Sequence, residues 1–225
     1  MLRKLIVGML VVCMVLGLGS LALAQTGKVS VDQWFANHVL EMKNGEEVKF
    51  EAPARLTGLS GEVSITDKLG VAGAFVFGNS EEFEKGSDLY GDLSRVNLAV
   101  QYEVIPMVKA RVGLLTGSYS VSKESKFDLS GFTIGATSAV ELSDSIGVFG
   151  EFAYAPALKV KAKDVQWESE DSSMMTFVAG GTYSFGDIAV KGGYRYQGLD
   201  TRDKITKAEA SVSFSGFFIG VGLSF

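Results

Sequence analysis

The sequence is poor in the residues that mark several common classes of protein. Its 225 residues include one cysteine, one histidine and three prolines. One cysteine cannot pair within the chain, which excludes a disulfide scaffold, and one histidine leaves little for histidine-based metal sites or triads. The 21 Lys and Arg against 26 Asp and Glu give a net charge of −5, so no basic field points to nucleic acid. The hydrophobic share of 47% excludes a disordered chain, and the length fits one domain.

Residues 1–24 have the pattern of a secretory signal peptide. Arg3 and Lys4 precede an uncharged apolar run, and the small residues Ala22 and Ala24 end the segment. Cleavage before residue 25 is the favoured interpretation, and an uncleaved membrane anchor is the alternative. Cys13 lies inside the apolar run without the small residues that precede a lipoprotein cysteine. Residues 25–225 would then form the mature domain, without cysteine and with a net charge of −7, since Arg3 and Lys4 are removed.

Beyond residue 24 the dominant pattern is alternation. No later apolar run approaches the roughly 20 residues that a membrane helix needs. Apolar residues instead recur at every second position, as in Val96, Leu98, Val100 and Tyr102, with polar or small residues between them. A period of two predicts β-strands with one apolar and one polar face.

The connections predict an up-and-down barrel. Short turns at 66–68, 105–106, 143–145 and 185–187 alternate with longer polar loops at 79–92, 122–126, 157–172 and 199–207. Nine strands are visible after about residue 54, and closure of a bacterial barrel needs an even number. The segment Val29–Met42, followed by Asn44-Gly45, supplies a tenth strand, and an amphipathic helix capped at Ser30 is the alternative.

These counts predict an all-β, transmembrane, antiparallel barrel, most simply of ten strands, with eight as the alternative. The second strand, Val48–Thr66, is long, and its apolar positions change parity between Leu56 and Leu59. A β-bulge between these two leucines is the expected cause.

Alternation alone fits both a membrane barrel and a soluble one such as a lipocalin. Three features favour the membrane barrel. The polar face is rich in Gly, Ser and Thr, tyrosines fall near the strand ends, and the last strand ends on the last residue, Phe225.

The C-terminus resembles a known signal. Gly220, Leu223 and Phe225 are similar to the C-terminal signal of bacterial outer-membrane proteins, although Phe218 stands where that pattern has a polar residue. The mature chain resembles the small outer-membrane barrels of the OmpA/OmpX type, which have eight strands. The resemblance implies a Gram-negative outer membrane, its lipids as surroundings, and the barrel-assembly machinery and periplasmic chaperones as partners, with no nucleic acid.

If the apolar face meets lipid, charged residues point into the lumen. Glu62, Arg111, Glu151 and Lys191 each lie roughly four to seven residues from a short turn and would form a mid-depth belt. Glu103 falls opposite Lys109 across a hairpin. The remaining predicted lumen charges are Arg95, Arg195 and, as one option, Arg55 higher up, and Glu141 lower down. Because isolated buried ions are costly, we expect a salt-bridged plug. Solvated lumen walls and an anion-preferring path are the alternatives.

Candidates for chemistry are few. His38, with Asp32, Glu41 and serines in reach, could serve an outer-membrane lipid-modifying enzyme or protease, but no family motif surrounds it. The acidic segments 81–88 and 164–171 lack the ligand spacing of an EF-hand. The sequence thus predicts no catalytic residue, metal or cofactor. It favours a non-enzymatic barrel that supports the envelope or presents loops for adhesion or binding, with a narrow porin-like channel as the alternative and an enzyme third.

Overall fold

The computed structural model describes residues 26–44, 46–83, 89–122, 125–162 and 169–225. The predicted signal peptide and Gly45 lie outside these ranges. The described part of the chain is all β, and it contains no helix long and apolar enough to cross a membrane. Its strands are β1 (Thr26–Asn44), β2 (Glu46–Ser64), β3 (Leu69–Glu82), β4 (Tyr90–Ile105), β5 (Val108–Ser120), β6 (Lys126–Glu141), β7 (Ile146–Ala155), β8 (Lys159–Ala162), β9 (Ser169–Phe185), β10 (Ile188–Asp203) and β11 (Glu209–Ser224).

Ten of these strands form a closed antiparallel barrel. Each wall strand pairs with the next along the chain, β7 pairs with β9, and β1 pairs with β11 from Lys28↔Ser224 to Lys43↔Glu209. The short β8 pairs with the first part of β6 above the end of β7. The prediction of ten strands is therefore confirmed, and Val29–Met42 belongs to a strand rather than to a helix.

The register sets the tilt of the strands. The row of paired residues that starts at Asp32 reaches Leu129 of β6 in one direction around the barrel. In the other direction it reaches Glu141 of the same strand. The two positions differ by twelve residues (141 − 129). In a barrel of ten strands, this offset corresponds to a strand tilt of roughly 40° from the barrel axis. Residues in one row consequently lie at different heights, and side-chain contacts are the better guide to depth.

The two ends of the barrel differ. The turn end carries the short connections at 65–68, 106–107, 142–145 and 186–187, together with Gly27 and Phe225, whose backbones exchange hydrogen bonds. The loop end carries the longer connections. Its loops are shorter than predicted because β9 begins at Ser169 and β10 continues to Asp203.

The outer face changes character along the barrel axis. Towards the turn end it is an exposed apolar band that includes Val31, Leu98, Val100, Val112, Leu114, Phe132, Ile134, Phe152, Phe177, Phe217, Ile219 and Val221. Towards the loop end it is polar, with Asn37, Glu41, Lys49, Glu51, Ser94, Ser118, Asp128, Lys159, Lys161, Asp200, Ser211, Ser213 and Ser215 facing out. We call these regions the turn-end half and the loop-end half.

Two predictions for β2 are wrong. The pairing of β2 with β1 and with β3 runs without a register shift past Leu56 and Leu59, so there is no bulge between these residues. Leu56 points into the lumen of the loop-end half, whereas Leu59 points outward into the apolar band. Because the strand is regular, Arg55 also points outward, beside Phe35, and does not belong to the lumen.

Candidate functional site: the filled lumen

One group of ions joins three strands in the turn-end half of the lumen. Lys109 of β5 donates a hydrogen bond to Glu62 of β2. Arg111 of β5 bridges two carboxylates, with Nη2 at 3.4 Å from Glu62 Oε2 and Nη1 at 3.2 Å from Glu151 Oε2. The Arg111 Nε donates to the Gln101 side chain at 3.0 Å. Three of the four predicted belt residues therefore lie together, and Lys109 lies with them.

The fourth belt residue belongs to a second ion group, centred on Asp32 of β1. Lys191 Nζ lies 3.3 Å from Asp32 Oδ2, and Arg195 Nη1 lies 3.0 Å from Asp32 Oδ1. Asp32 is almost completely buried. It fits because Gly58 and Gly220 flank it: a Cβ at either glycine would lie under 3.0 Å from Asp32 side-chain atoms.

Sequence reasoning missed this role of Asp32. It considered the residue only as a neighbour of His38, although both fall on the inward parity of β1. The signal that could have found the ion group is that parity, which places Asp32 in the same lumen as Lys191 and Arg195.

Arg195 connects the ions to an apolar region. Its guanidinium carbon lies 5.3 Å from the centre of the Trp34 ring and 5.0 Å from that of Phe218, within the range of cation–π contacts. Trp34 and Phe218 are themselves buried. The guanidinium thus contacts Asp32 at one edge and aromatic faces at the other.

The lumen of the loop-end half is filled by a hydrophobic core that the sequence analysis did not predict. Its buried members include Trp34, Leu40, Leu56, Leu93, Leu115, Tyr119, Leu129, Leu158, Val160, Met174, Leu199, Val212, Phe214 and Phe218. Tyr119 on β5 and Phe214 on β11 stand on opposite walls, five strands apart in either direction. Their ring centres are 6.3 Å apart, so the opposite walls make contact here.

His38 lies inside this core and not at a catalytic rim. It is fully buried and stacks on Phe214 with ring centres 4.3 Å apart. Its Nε2 and the Tyr119 hydroxyl form a hydrogen bond of 2.8 Å, and Nδ1 has no hydrogen-bond partner among the described residues. The enzyme alternative requires His38 beside a serine or a carboxylate. Among the described residues, the hydrogen bond of the His38 ring is instead to the phenol hydroxyl of Tyr119.

The other predicted lumen charges lie apart from the two ion groups. Arg95 is buried higher in the barrel, where Nη1 donates to Thr176 Oγ1 at 3.1 Å and contacts the Met174 sulfur at 3.4 Å. Glu103 is the cross-strand neighbour of Lys109, whose ammonium nonetheless contacts Glu62. Glu141 is exposed at the turn end.

A cavity of about 390 Å³ occupies the lumen of the turn-end half. It is lined by charged residues of both ion groups, by Glu141 and Lys28, and by small polar side chains of Ser60, Thr133 and Thr182.

The residues of the predicted assembly signal lie on β11. Gly220 faces the lumen against Asp32, while Leu223 and Phe225 are exposed on the outer face at the turn end.

Comparison with known proteins identifies the fold. Neither a protein-family model nor a curated protein matches the chain. Among solved structures, it is similar to the outer-membrane protease OmpT from Escherichia coli, with 11% identity, a TM-score of 0.62, and coverage of 90% of this chain and 97% of that one.

Two further similar structures have lower scores. Neisserial surface protein A has 13% identity and a TM-score of 0.38, covering 88% of this chain and 97% of that one. The Pseudomonas putida toluene transporter TodX has 10% identity and a TM-score of 0.32, covering 88% and 89%. The similarity to OmpT, together with the closed ten-stranded barrel, shows that the chain has the fold of the outer-membrane β-barrels.

Proposed function

We propose that this chain is an outer-membrane protein without a through-pore, which holds its loops on a rigid protrusion for adhesion, binding or envelope support. The observation that carries the proposal is the contact between opposite walls, Tyr119 with Phe214, inside a buried core. A core that meets across the lumen leaves solute no continuous path. The protein is then a scaffold rather than a conduit.

The outer face supports the placement in a membrane. About 9–11 residues of tilted strand cross the hydrocarbon layer, whereas β1 and β2 have 19 residues each. The apolar band accounts for the turn-end part of these strands. The polar outer face of the loop-end half suits water, so this half projects from the membrane. C-terminal recognition by the assembly machinery through Gly220, Leu223 and Phe225 is part of the same proposal.

Conductance in a planar bilayer tests whether the lumen is closed. We expect the refolded wild type to carry no steady ion current. The double variant Tyr119→Ala/Phe214→Ala, which removes one ring from each wall, should conduct. The variant Glu62→Gln/Glu151→Gln should stay silent, because it leaves the core intact.

A matched control is Phe217→Ala, which removes an outward ring from the same strand and should not conduct. Steady current through the wild type would overturn the proposal and favour a narrow channel. The cavity in the turn-end half is the observation that favours this second candidate.

Cysteine labelling tests the orientation, because Cys13 is the only native cysteine and lies in the predicted signal. In intact cells, a membrane-impermeant maleimide should label Ser213→Cys in the loop-end half. It should not label Val221→Cys in the apolar band or Ser145→Cys at the turn end. Labelling of Ser145→Cys alone would show that the turn end faces the cell exterior and would contradict the proposed orientation.

We propose further that the barrel is not an enzyme. The burial of His38 among aromatic rings supports this, since substrate has no access to its ring. Incubation with a degenerate peptide library and with lipid A, followed by mass spectrometry, should reveal no product. A product that disappears in the His38→Phe variant would contradict the proposal.

A further inference from the structure

One edge of β2 has no partner strand in the loop-end half. β1 pairs with β2 up to Asn44↔Glu46, whereas β3 pairs with β2 only from Ala54↔Ser80. Among the described residues, no strand therefore pairs with the far edge of residues 46–53, which is about 26 Å long at the rise of a β-strand. Backbone N–H and C=O groups on such an edge point away from the barrel sheet and can pair with another chain.

The end of β3 leaves β2 because it turns over the lumen. Its register with β4 shifts between Asn79 and Glu82, and an irregularity of this kind bends a strand. The next residue, Phe83, packs on Phe50 with ring centres 5.8 Å apart. Pro53 on β2 fits the resulting edge, since proline has no N–H and occurs in sheets mainly on edge strands.

This edge is complementary to itself. Its outward side chains are Glu47, Lys49 and Glu51, and the last two form an exposed pair of 2.9 Å within the chain. If two copies pair antiparallel with Phe50 opposite Phe50, each Lys49 faces the Glu51 of the other copy, and apolar side chains meet on the other face. Opposite charges at opposed positions stabilise an antiparallel pair. A register centred on Lys49 would instead oppose Glu47 to Glu51 and lysine to lysine.

The direction of pairing decides where the second copy stands. Antiparallel pairing of one edge with itself needs a two-fold axis perpendicular to the barrel wall, which makes the two barrel axes point in opposite directions. Two copies in one membrane are related by an axis along the membrane normal, and strands tilted by roughly 40° would then cross at roughly 80° and could not pair. The second copy therefore stands in a facing membrane, loop end to loop end.

We propose that the protein binds a second copy of itself on a neighbouring cell, by antiparallel pairing of the two β2 edges at residues 46–53. Backbone hydrogen bonds along the edge hold the two copies together, and the contacts of Lys49 with Glu51 between the copies set the register. This pairing rests on the proposed outward placement of the loop-end half, and it gives the proposed adhesion function a partner.

Clumping of cells tests the pairing by exchange of charges. In a host that does not clump on its own, cells that express the wild type should clump. Lys49→Glu cells alone and Glu51→Lys cells alone should stay dispersed, because each variant opposes two pairs of like charge. A mixture of the two should clump again, because every opposed pair then has opposite signs. The matched control Glu209→Lys, an equal change at an exposed residue of β11, should clump as the wild type does.

A disulfide tests the register, because Cys13 is the only native cysteine and lies in the predicted signal. Cells with Lys49→Cys mixed with cells with Glu51→Cys should give a disulfide-linked dimer under mild oxidation. No such dimer should form when Ser213→Cys, an outward residue of β11, replaces Lys49→Cys.

Maleimide labelling of Ser213→Cys separates this pairing from the proposed function. Introduced into the wild type and into each charge variant, it reports whether the loop-end half is displayed on the cell. Labelled wild-type cells that stay dispersed would overturn the pairing alone. Unlabelled cells would overturn the outward placement and the pairing with it. Clumping of either charge variant alone, or a mixture of the two displayed variants that stays dispersed, would also refute the pairing.

Discussion

The two halves of the barrel solve the same packing problem with opposite polarity. In the turn-end half the outer face is apolar and the lumen holds paired ions. In the loop-end half the outer face is polar and the lumen is a hydrophobic core, as in a soluble protein. The strands run through both halves without changing direction. Each face of a strand thus matches its surroundings at that height. A single strand can therefore have its apolar side outward in one half of the barrel and inward in the other.

The largest expected effect concerns the buried ion groups, which should contribute more to the free energy of unfolding than exposed ion pairs do. Asp32→Asn leaves Lys191 and Arg195 unpaired, and we expect a loss of about 4 kcal/mol in the free energy of unfolding. Urea unfolding in lipid vesicles, followed by tryptophan fluorescence, measures it. The matched control is Glu51→Gln, which disrupts the exposed 2.9 Å pair with Lys49 and should change the free energy of unfolding far less, because solvent screens that pair. Equal losses would refute the distinction.

The leucines of β2 test the two faces within one strand. Leu56→Ala removes a fully buried side chain from the core of the loop-end half and should cost about 3 kcal/mol. Leu59→Ala, three residues on, shortens an outward side chain and should cost about 1 kcal/mol or less. The same urea assay compares them. A larger loss at Leu59 would mean that the apolar band, not the lumen core, holds this strand.

The outer face offers a test on β4. Leu98→Lys places a charge in the apolar band, and we expect a loss of about 2 kcal/mol in a lipid bilayer. Ser94→Lys, on the same face of the same strand, lies in the loop-end half and should change stability by less than about 0.5 kcal/mol. Refolding yield into vesicles gives a second measure. Similar tolerance at both positions would contradict a boundary between them.

The smallest effect concerns the polar pair inside the core. Tyr119→Phe removes the hydroxyl that contacts His38 and should cost about 1 kcal/mol, because a buried ring nitrogen loses its partner. In the double variant His38→Phe/Tyr119→Phe, most of this loss should be recovered. A double variant much less stable than the single one would show that the histidine has a role beyond packing.

Much of the fold could be predicted from the sequence. Period-two alternation located the strands, and the need for an even number identified β1, whose local pattern also fitted a helix. The lumen charges Glu62, Arg111 and Glu151 were placed by their distance from short turns, and the structure brings them together. Local rules sufficed here because the turn-end half has one consistent polarity.

The errors have one physical cause. An apolar face was assumed to stay on one side of the wall, so the change of parity between Leu56 and Leu59 was attributed to a bulge. It instead marks the height at which the apolar side changes from outward to inward. Because of the same assumption, the apolar residues that point inward in the loop-end half were not recognised as a hydrophobic core. The inward parity of Asp32 could have placed it in the lumen with Arg195. That these two residues pair with each other depends on barrel closure between positions 163 residues apart.

That separation has a consequence for folding kinetics. Asp32 lies on β1 and its partners lie on β10, so their ion pairs form only when the C-terminal strands reach β1 and the barrel closes. Contacts made after the rate-limiting barrier slow unfolding without hastening folding. In Asp32→Asn the unfolding rate should therefore rise while the folding rate stays nearly constant, a split that stopped-flow fluorescence resolves. The ion group then acts as a latch on a finished barrel, which prolongs the lifetime of the folded protein.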